Sequence, residues 1–342
     1  MAARRAAGVA AAERADAMAD GHDPRRAGDR AAMEGWVVAL VLLLCAGWGG
    51  LAPAIKVALR EVPPVALAGW RFLIGILAIL LWCAARGIAI WPERRHWPTL
   101  GVIAVMFVAQ IALLNAGTRF TSAGHSTLLL ATHPLFVAVF VHFVLHDDRL
   151  STPKALGLLL AFAGVAAVVA ERLQGGSFLG DALVCVSAVL LGALVTITKW
   201  AYRRGLTPYQ VLAGQIVPGV AGFFLVSRAL EGPVVVPVLP ASWVAILYQG
   251  LVVAGFGFAA WNSLLDRYAA SRLAAFQFTV PIFGVVFSAW ILGERLTAGV
   301  ALGTLLVGAG LLIANRSRPG AANGAQAVVG RPPGGLPRAP TG

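Results

Sequence analysis

The chain carries one long pattern twice. Ser122–Leu145, followed by Asp147-Asp148-Arg149-Leu150-Ser151, is answered by Ala270–Leu292, followed by Gly293-Glu294-Arg295-Leu296-Thr297. Each apolar run holds a proline near its middle, Pro134 and Pro281. Each acidic-Arg-Leu turn leads into a Gly/Leu-rich run, beginning Ala155-Leu156-Gly157 and Ala301-Leu302-Gly303. More faintly, Gly49 and Lys56 have the spacing of Gly192 and Lys199. A repeat of this length restricts the fold to two copies of one apolar unit that bury their faces against each other.

The solvent for such a unit is not water. Of the 342 residues, 59% are hydrophobic and 12% charged, against about 45–50% and about 25% in soluble domains. The mean hydropathy is +0.80, which suits a bilayer. The net charge of +12 does not point to nucleic acid, because no fold for it is visible and the basic residues punctuate the apolar runs. Cys45, Cys83 and Cys185 lie inside apolar runs without metal spacing and read as buried thiols.

Spans of about 17–25 residues cross the hydrocarbon. The runs read as Trp36–Val57, Val65–Ala85, Thr99–Ala116, Ser122–Leu145 and Pro153–Ala170, then Phe178–Trp200, Pro208–Leu230, Ser242–Leu265, Ala270–Leu292 and Ala298–Ala314. The expected fold is therefore an all-α integral membrane protein of ten transmembrane helices. Its first five-helix repeat is residues 34–171 and its second 178–315, between disordered cytoplasmic tails 1–33 and 316–342. The connections on the side of the N-terminus carry Arg86, Arg94, Arg95, Arg149, Lys154, Lys199, Arg203, Arg204, Arg267 and Arg272. The opposite side carries Arg60, Arg119, Arg172, Arg228 and Arg295. That asymmetry puts both termini of a multi-pass membrane protein in the cytoplasm. An odd number of spans per half turns the second copy upside down. Inverted repeats with proline-broken helices are the pattern of alternating-access carriers.

The residues that carry a family likeness are Trp48-Gly49-Gly50 with Ala54-Ile55-Lys56, Pro63-Pro64, Arg71-Phe72, Thr121-Ser122-Ala123-Gly124, Pro134-Leu135-Phe136 and Gly293-Glu294-Arg295-Leu296-Thr297. In these the chain, over about residues 36–315, resembles the EamA-type family of the drug/metabolite transporter superfamily. The resemblance implies an inner-membrane carrier, commonly an exporter of amino acids or other small metabolites. It also implies a central cavity lined mainly by the first four helices of each repeat. The chain departs from the family pattern at His146-Asp147-Asp148-Arg149-Leu150, where there is extra acid.

A proline inside a helix leaves the carbonyl four residues back without its amide. Pro134 frees the Leu130 carbonyl and Pro281 that of Gln277, and Pro53 acts likewise in the first span. Such carbonyls should face protein or a wet cavity, so the kinked helices are expected to line the site, the alternative being kinks that serve packing alone. His133 sits near the midplane and could carry a proton, or remain neutral in a bond between helices. Arg71 could hold a substrate carboxylate, or snorkel to the headgroups as Lys56 and Lys199 do. Gln110, Gln249 and Gln277 are candidates for cavity lining, with Trp48, Tyr248 and Trp261 either around a solute or at helix interfaces. Trp36, Trp91, Trp97 and Trp243 read as interfacial anchors.

No acidic residue lies near a midplane, so a neutral, zwitterionic or weakly anionic solute is expected. No phosphate loop, zinc helix or nucleophile elbow occurs, and neither enzymatic activity, cofactor nor metal is expected. The expected partners are a small-molecule substrate and the lipid bilayer, with a homodimer left open. The competing classes are a membrane-embedded enzyme acting on lipids, which would need convergent catalytic groups, and a non-transporting sensor or assembly subunit.

Overall fold

The computed structural model describes residues 34–144, 152–170, 177–267, 273, 276–277 and 279–316. The tails, the 145–151 turn with Arg149, and Arg172 and Arg272 lie outside the described residues. What is described is all-helical, without strands. In order, the helices are α1 (Gly35–Gly49), α2 (Leu51–Ala58), α3 (Pro64–Arg86), α4 (Trp97–Phe120), α5 (Ala123–Leu130), α6 (His133–Val144), α7 (Thr152–Ala170), α8 (Phe178–Arg203), α9 (Pro208–Leu230) and α10 (Pro240–Leu247). A π-helical segment, Tyr248–Gly257, runs on into α11 (Phe258–Arg267), followed by α12 (Thr279–Leu292) and α13 (Ala298–Arg316). Among the described residues, seven helical runs are long and apolar enough to cross a membrane: Gly35–Ala58, Pro64–Arg86, Arg94–Phe120, Ala123–Val141, Phe178–Arg203, Pro208–Leu230 and Pro240–Trp261. Thr279–Leu292 is a shorter apolar helix.

Local chemistry sets the helix ends. Pro64, Pro208 and Pro240 open their helices, where a missing amide hydrogen costs nothing. Ser122 and Ser177 cap α5 and α8, their Oγ atoms accepting from the amides of His125 and Gly180 at 3.1 Å. Thr207 and Gln210 form a capping box on α9. Gly87, with φ of 63°, takes the left-handed turn that ends α3.

The breaks differ from the expected kinks. Pro53, Pro134 and Pro281 each lie in the first turn of the segment after an interruption, in α2, α6 and α12. Pro53 and Pro134 thus follow a bend within the runs Gly35–Ala58 and Ala123–Val141, while Pro281 lies at the start of α12. Nor are the freed carbonyls left open: His133 Nδ1 lies 3.1 Å from the Leu130 oxygen, and the Val280 amide donates to the Gln277 oxygen at 3.1 Å. Pro218, by contrast, sits inside the continuous helix α9.

The core is aromatic at the meeting of α3, α4 and α9, where the Phe72 ring lies 4.7 Å from that of Phe107 and 5.6 Å from that of Phe223. Elsewhere glycine brings backbones together. A Cβ on Gly180 would stand 2.7 Å from the Thr121 nitrogen, and one on Gly310 only 2.5 Å from the Gly157 oxygen. The three cysteines are free thiols, Cys45 and Cys83 buried and Cys185 half-buried.

Candidate functional site

The π-helical segment organises the middle of the bundle. It turns neighbouring residues to opposite sides, Gln249 towards α3 and Tyr248 towards α1. Gln249 is fully buried and its Oε1 accepts from Arg71 Nη1 at 3.4 Å. Glycines make this approach possible. A Cβ on Gly250 would meet the Arg71 carbonyl oxygen at 2.9 Å, and one on Gly75 would meet Ala254 at 2.9 Å.

Arg71 is the unusual group. Its residue is 3% exposed, so the side chain does not snorkel. The chain has folded the guanidinium inward, over the Phe72 ring at 4.3 Å, and not outward to water. Among the described residues no carboxylate lies within ion-pair distance of it. Arg71 Nε and Gln249 Nε2 are both buried without a hydrogen-bond partner. A cation without a counter-ion and two idle donors in an apolar interior are costly, and an oxyanion between them would satisfy both donors.

On the other side of the segment lies a cavity of about 690 Å³, lined among others by Trp48, Ala54, Tyr248, Phe256, Phe287 and Trp290. Its walls are nearly all carbon. Tyr248 Oη donates to the Gly47 carbonyl, and Trp48 packs edge-on against Trp261 with ring centres 5.1 Å apart. The volume falls within the roughly 300–1,000 Å³ of small-molecule sites. Trp290 and Leu43 on its rim are 80% and 64% exposed, so it opens sideways from the bundle.

The sequence-derived candidates do not all converge. Trp48 and Tyr248 share the cavity, with Trp261 behind Trp48, while Arg71 and Gln249 form the buried pair. Gln110 is a tie between helices. Its Nε2 donates to Ser187 Oγ at 2.8 Å, and that hydroxyl donates back to the Gln110 carbonyl at 2.9 Å. Gln110→Leu is expected to lower stability by about 1 kcal/mol through the lost bond while leaving solute binding intact, as thermal melts with and without solute would read. His133 stays half-buried beside its own helix break, and Gln277 sits half-buried in the turn before α12. Lys56 does not reach solvent freely but donates to the Arg119 carbonyl at 3.2 Å.

One polar centre has no counterpart in the sequence reading. His125 Nδ1 lies 3.3 and 3.4 Å from the two Asp181 oxygens, with side chains 7% and 10% exposed. The Thr121 hydroxyl donates to the same carboxylate. His125 also lines a cavity of about 280 Å³ with Ser288, Glu294 and Arg295. The available signal was Asp181 in the first turn of a span directly after the capping Ser177.

An apolar helical bundle with a cavity among its helices and a buried cation that has no counter-ion among the described residues has the makings of a membrane transporter. The model of the EamA-like transporter family matches residues 35–170 and again residues 178–316, and the chain belongs to that family. Among its relatives, the "Uncharacterized transporter YoaV" of Bacillus subtilis (strain 168) is 24% identical, covering 78% of this chain and 92% of that protein. The "Probable amino-acid metabolite efflux pump" of Escherichia coli (strain K12) is 28% identical, covering 80% of this chain and 93% of its own. A solved crystal structure shares the fold with a TM-score of 0.63 at 20% identity, covering 80% of this chain and 95% of that one.

Proposed function

We propose that the protein is a secondary transporter that exports a small solute bearing a carboxylate, an amino acid or a related zwitterion, across the bacterial inner membrane. Its two five-helix halves are inverted repeats, both termini are cytoplasmic, and the carrier works by rocking the halves between inward-open and outward-open states. The ten-span reading is supported by the family match recurring at the offset of the internal repeat. The substrate class agrees with the name of the Escherichia coli relative.

The observation that carries the substrate class is the buried Arg71–Gln249 pair with its idle donors. A carboxylate would receive the guanidinium in the two-pronged geometry that arginine offers. The test is ligand-induced thermal stabilisation of the purified protein by neutral amino acids and by their carboxamides. Free acids are expected to raise the melting temperature and the amides to have no effect. Equal stabilisation by acid and amide would remove Arg71 from solute recognition, and stabilisation by neither would remove amino acids as the class.

A further inference from the structure

The contacts between the two halves of the chain have a common chemistry at one end of the bundle. There α2 stops and α3 starts, Lys56 reaches the Arg119 carbonyl at the end of α4, and the Ser177 amide donates to the Phe120 carbonyl at 3.0 Å. Four carboxylates cross between the halves at this end. Glu61 accepts from the amides of Val238 and Leu239 at 2.6 and 3.1 Å. Glu231 accepts from Val65 and Ala66 at 2.8 and 3.0 Å, and Glu294 from Ala123 and Gly124 at 2.8 and 3.0 Å. Asp181 is the fourth, facing His125 and Thr121.

The first three are held by backbone amides at or beside helix N-termini, a setting that favours the ionised acid. For Glu61, desolvation acts in the opposite sense, but bonds from Val238, Ser242 and Leu239 together hold its carboxyl below the ordinary range. Asp181 differs because its partner across the halves is a base that can take a further proton. Resting on the alternating-access reading, we infer that His125 and Asp181 form a proton-binding site that seals this end of the carrier, and that occupancy by a proton sets how readily the end opens.

The chemistry is a simple transfer. With one proton on the imidazole, Nδ1 donates to the Asp181 carboxylate and the contact is neutral-to-charged. A second proton from water enters at Nε2, no bond between heavy atoms changes, and the contact becomes an ion pair across the halves. Opening the end pulls the pair apart and returns the proton to water. The other charged or titratable groups beside the pair are Cys185 on α8, which interacts with Asp181, and Glu294 and Arg295 after α12, which line the cavity with His125; Lys56 on α2 interacts in turn with Glu294. Glu171 and Arg172 lie outside the described residues. The cavity that His125 shares with Glu294 and the exposed Arg295 gives the proton a route from solvent.

The test needs no substrate. On a background with Cys45, Cys83 and Cys185 replaced by alanine, Ser288→Cys puts a thiol in the cavity at a position 1% exposed. Labelling by a membrane-impermeant maleimide, corrected for the intrinsic pH dependence of the thiol with a solvent-exposed control cysteine, then reports opening. Opening is expected to be about fivefold more frequent near pH 8 than near pH 6, because the neutral imidazole leaves a bond with one ionised partner where the imidazolium makes an ion pair. His125→Gln keeps a donor towards Asp181 and cannot be protonated, so it should label at one rate across that range; Asp181→Asn should do the same. A parent protein without pH dependence, or a His125→Gln variant that retains it, would overturn the inference. Solute counterflow in proteoliposomes is scored separately, so a protein that labels as expected yet moves no solute would fail as a transporter while keeping its proton site.

Discussion

Arg71→Gln is expected to reduce counterflow of radiolabelled neutral amino acids by about a hundredfold, the equivalent of about 3 kcal/mol. The folded protein should suffer little. Arg71 is a buried cation facing a neutral glutamine, without a carboxylate among the described residues to offset its desolvation. Removing such a charge tends to leave stability unchanged or improve it. Loss of transport should therefore come without loss of melting temperature, a split that a structural residue would not give. Arg71→Lys separates charge from geometry: it keeps the cation but loses the fork, and should recover only part of the rate. Counterflow that survives Arg71→Gln intact would show that the solute carboxylate is bound elsewhere.

The second large effect concerns the pairing of α7 with α13. A Cβ on Gly310 would meet the Gly157 oxygen at 2.5 Å and the Ala161 nitrogen at 2.8 Å, and one on Gly164 would meet the Gly303 oxygen at 2.9 Å. These obstacles are backbone atoms, which cannot rotate away. Gly310→Val should thus push the two helices apart and cost about 3 kcal/mol, near the upper end for overpacking. Gly308 is the control, two residues away on the same helix. A Cβ there would find nothing within 4 Å. Gly308→Ala should be neutral or gain up to about 1 kcal/mol from helix propensity. Melting temperatures in detergent decide the matter, and equal effects at the two positions would mean that the helices are not in this contact.

What the sequence made legible is what repeats or follows from solvation. Apolar runs of spanning length located the seven membrane-length helices, because a bilayer permits few other structures for such runs. Gly157 and Gly164, with Gly303, Gly308 and Gly310, signal close helix packing from the sequence alone; the structure has such contacts at Gly164 and Gly310 and none at Gly308. The prolines marked the breaks but not their geometry. From sequence alone, Pro134 and Pro281 could equally bend a helix or begin one, and the carbonyls they free are satisfied by His133 and Val280, partners supplied by local turn geometry. Among the site candidates, Arg71 and Gln249 meet across 178 residues of chain. Periodicity carries no information about such a pair. Gln110 illustrates the same gap in reverse. Its amide reads as a cavity donor until Ser187 is found opposite. His125 and Asp181 were hidden for a further reason: each is ordinary where it stands, and their chemistry exists only once the halves come together.

The winding of Tyr248–Gly257 has a mechanical consequence. A stretch that bonds to the fifth residue instead of the fourth holds slack in its backbone. Tightening it to ordinary pitch would slip everything beyond it by one residue, a turn of about 100°. Trp261, four residues past the segment, would swing off Trp48. Gln249, at the start, would keep its place. The segment is thus built as a clutch: the Arg71–Gln249 pair sits on the fixed plate and the aromatic contact of Trp261 with Trp48 on the one that turns.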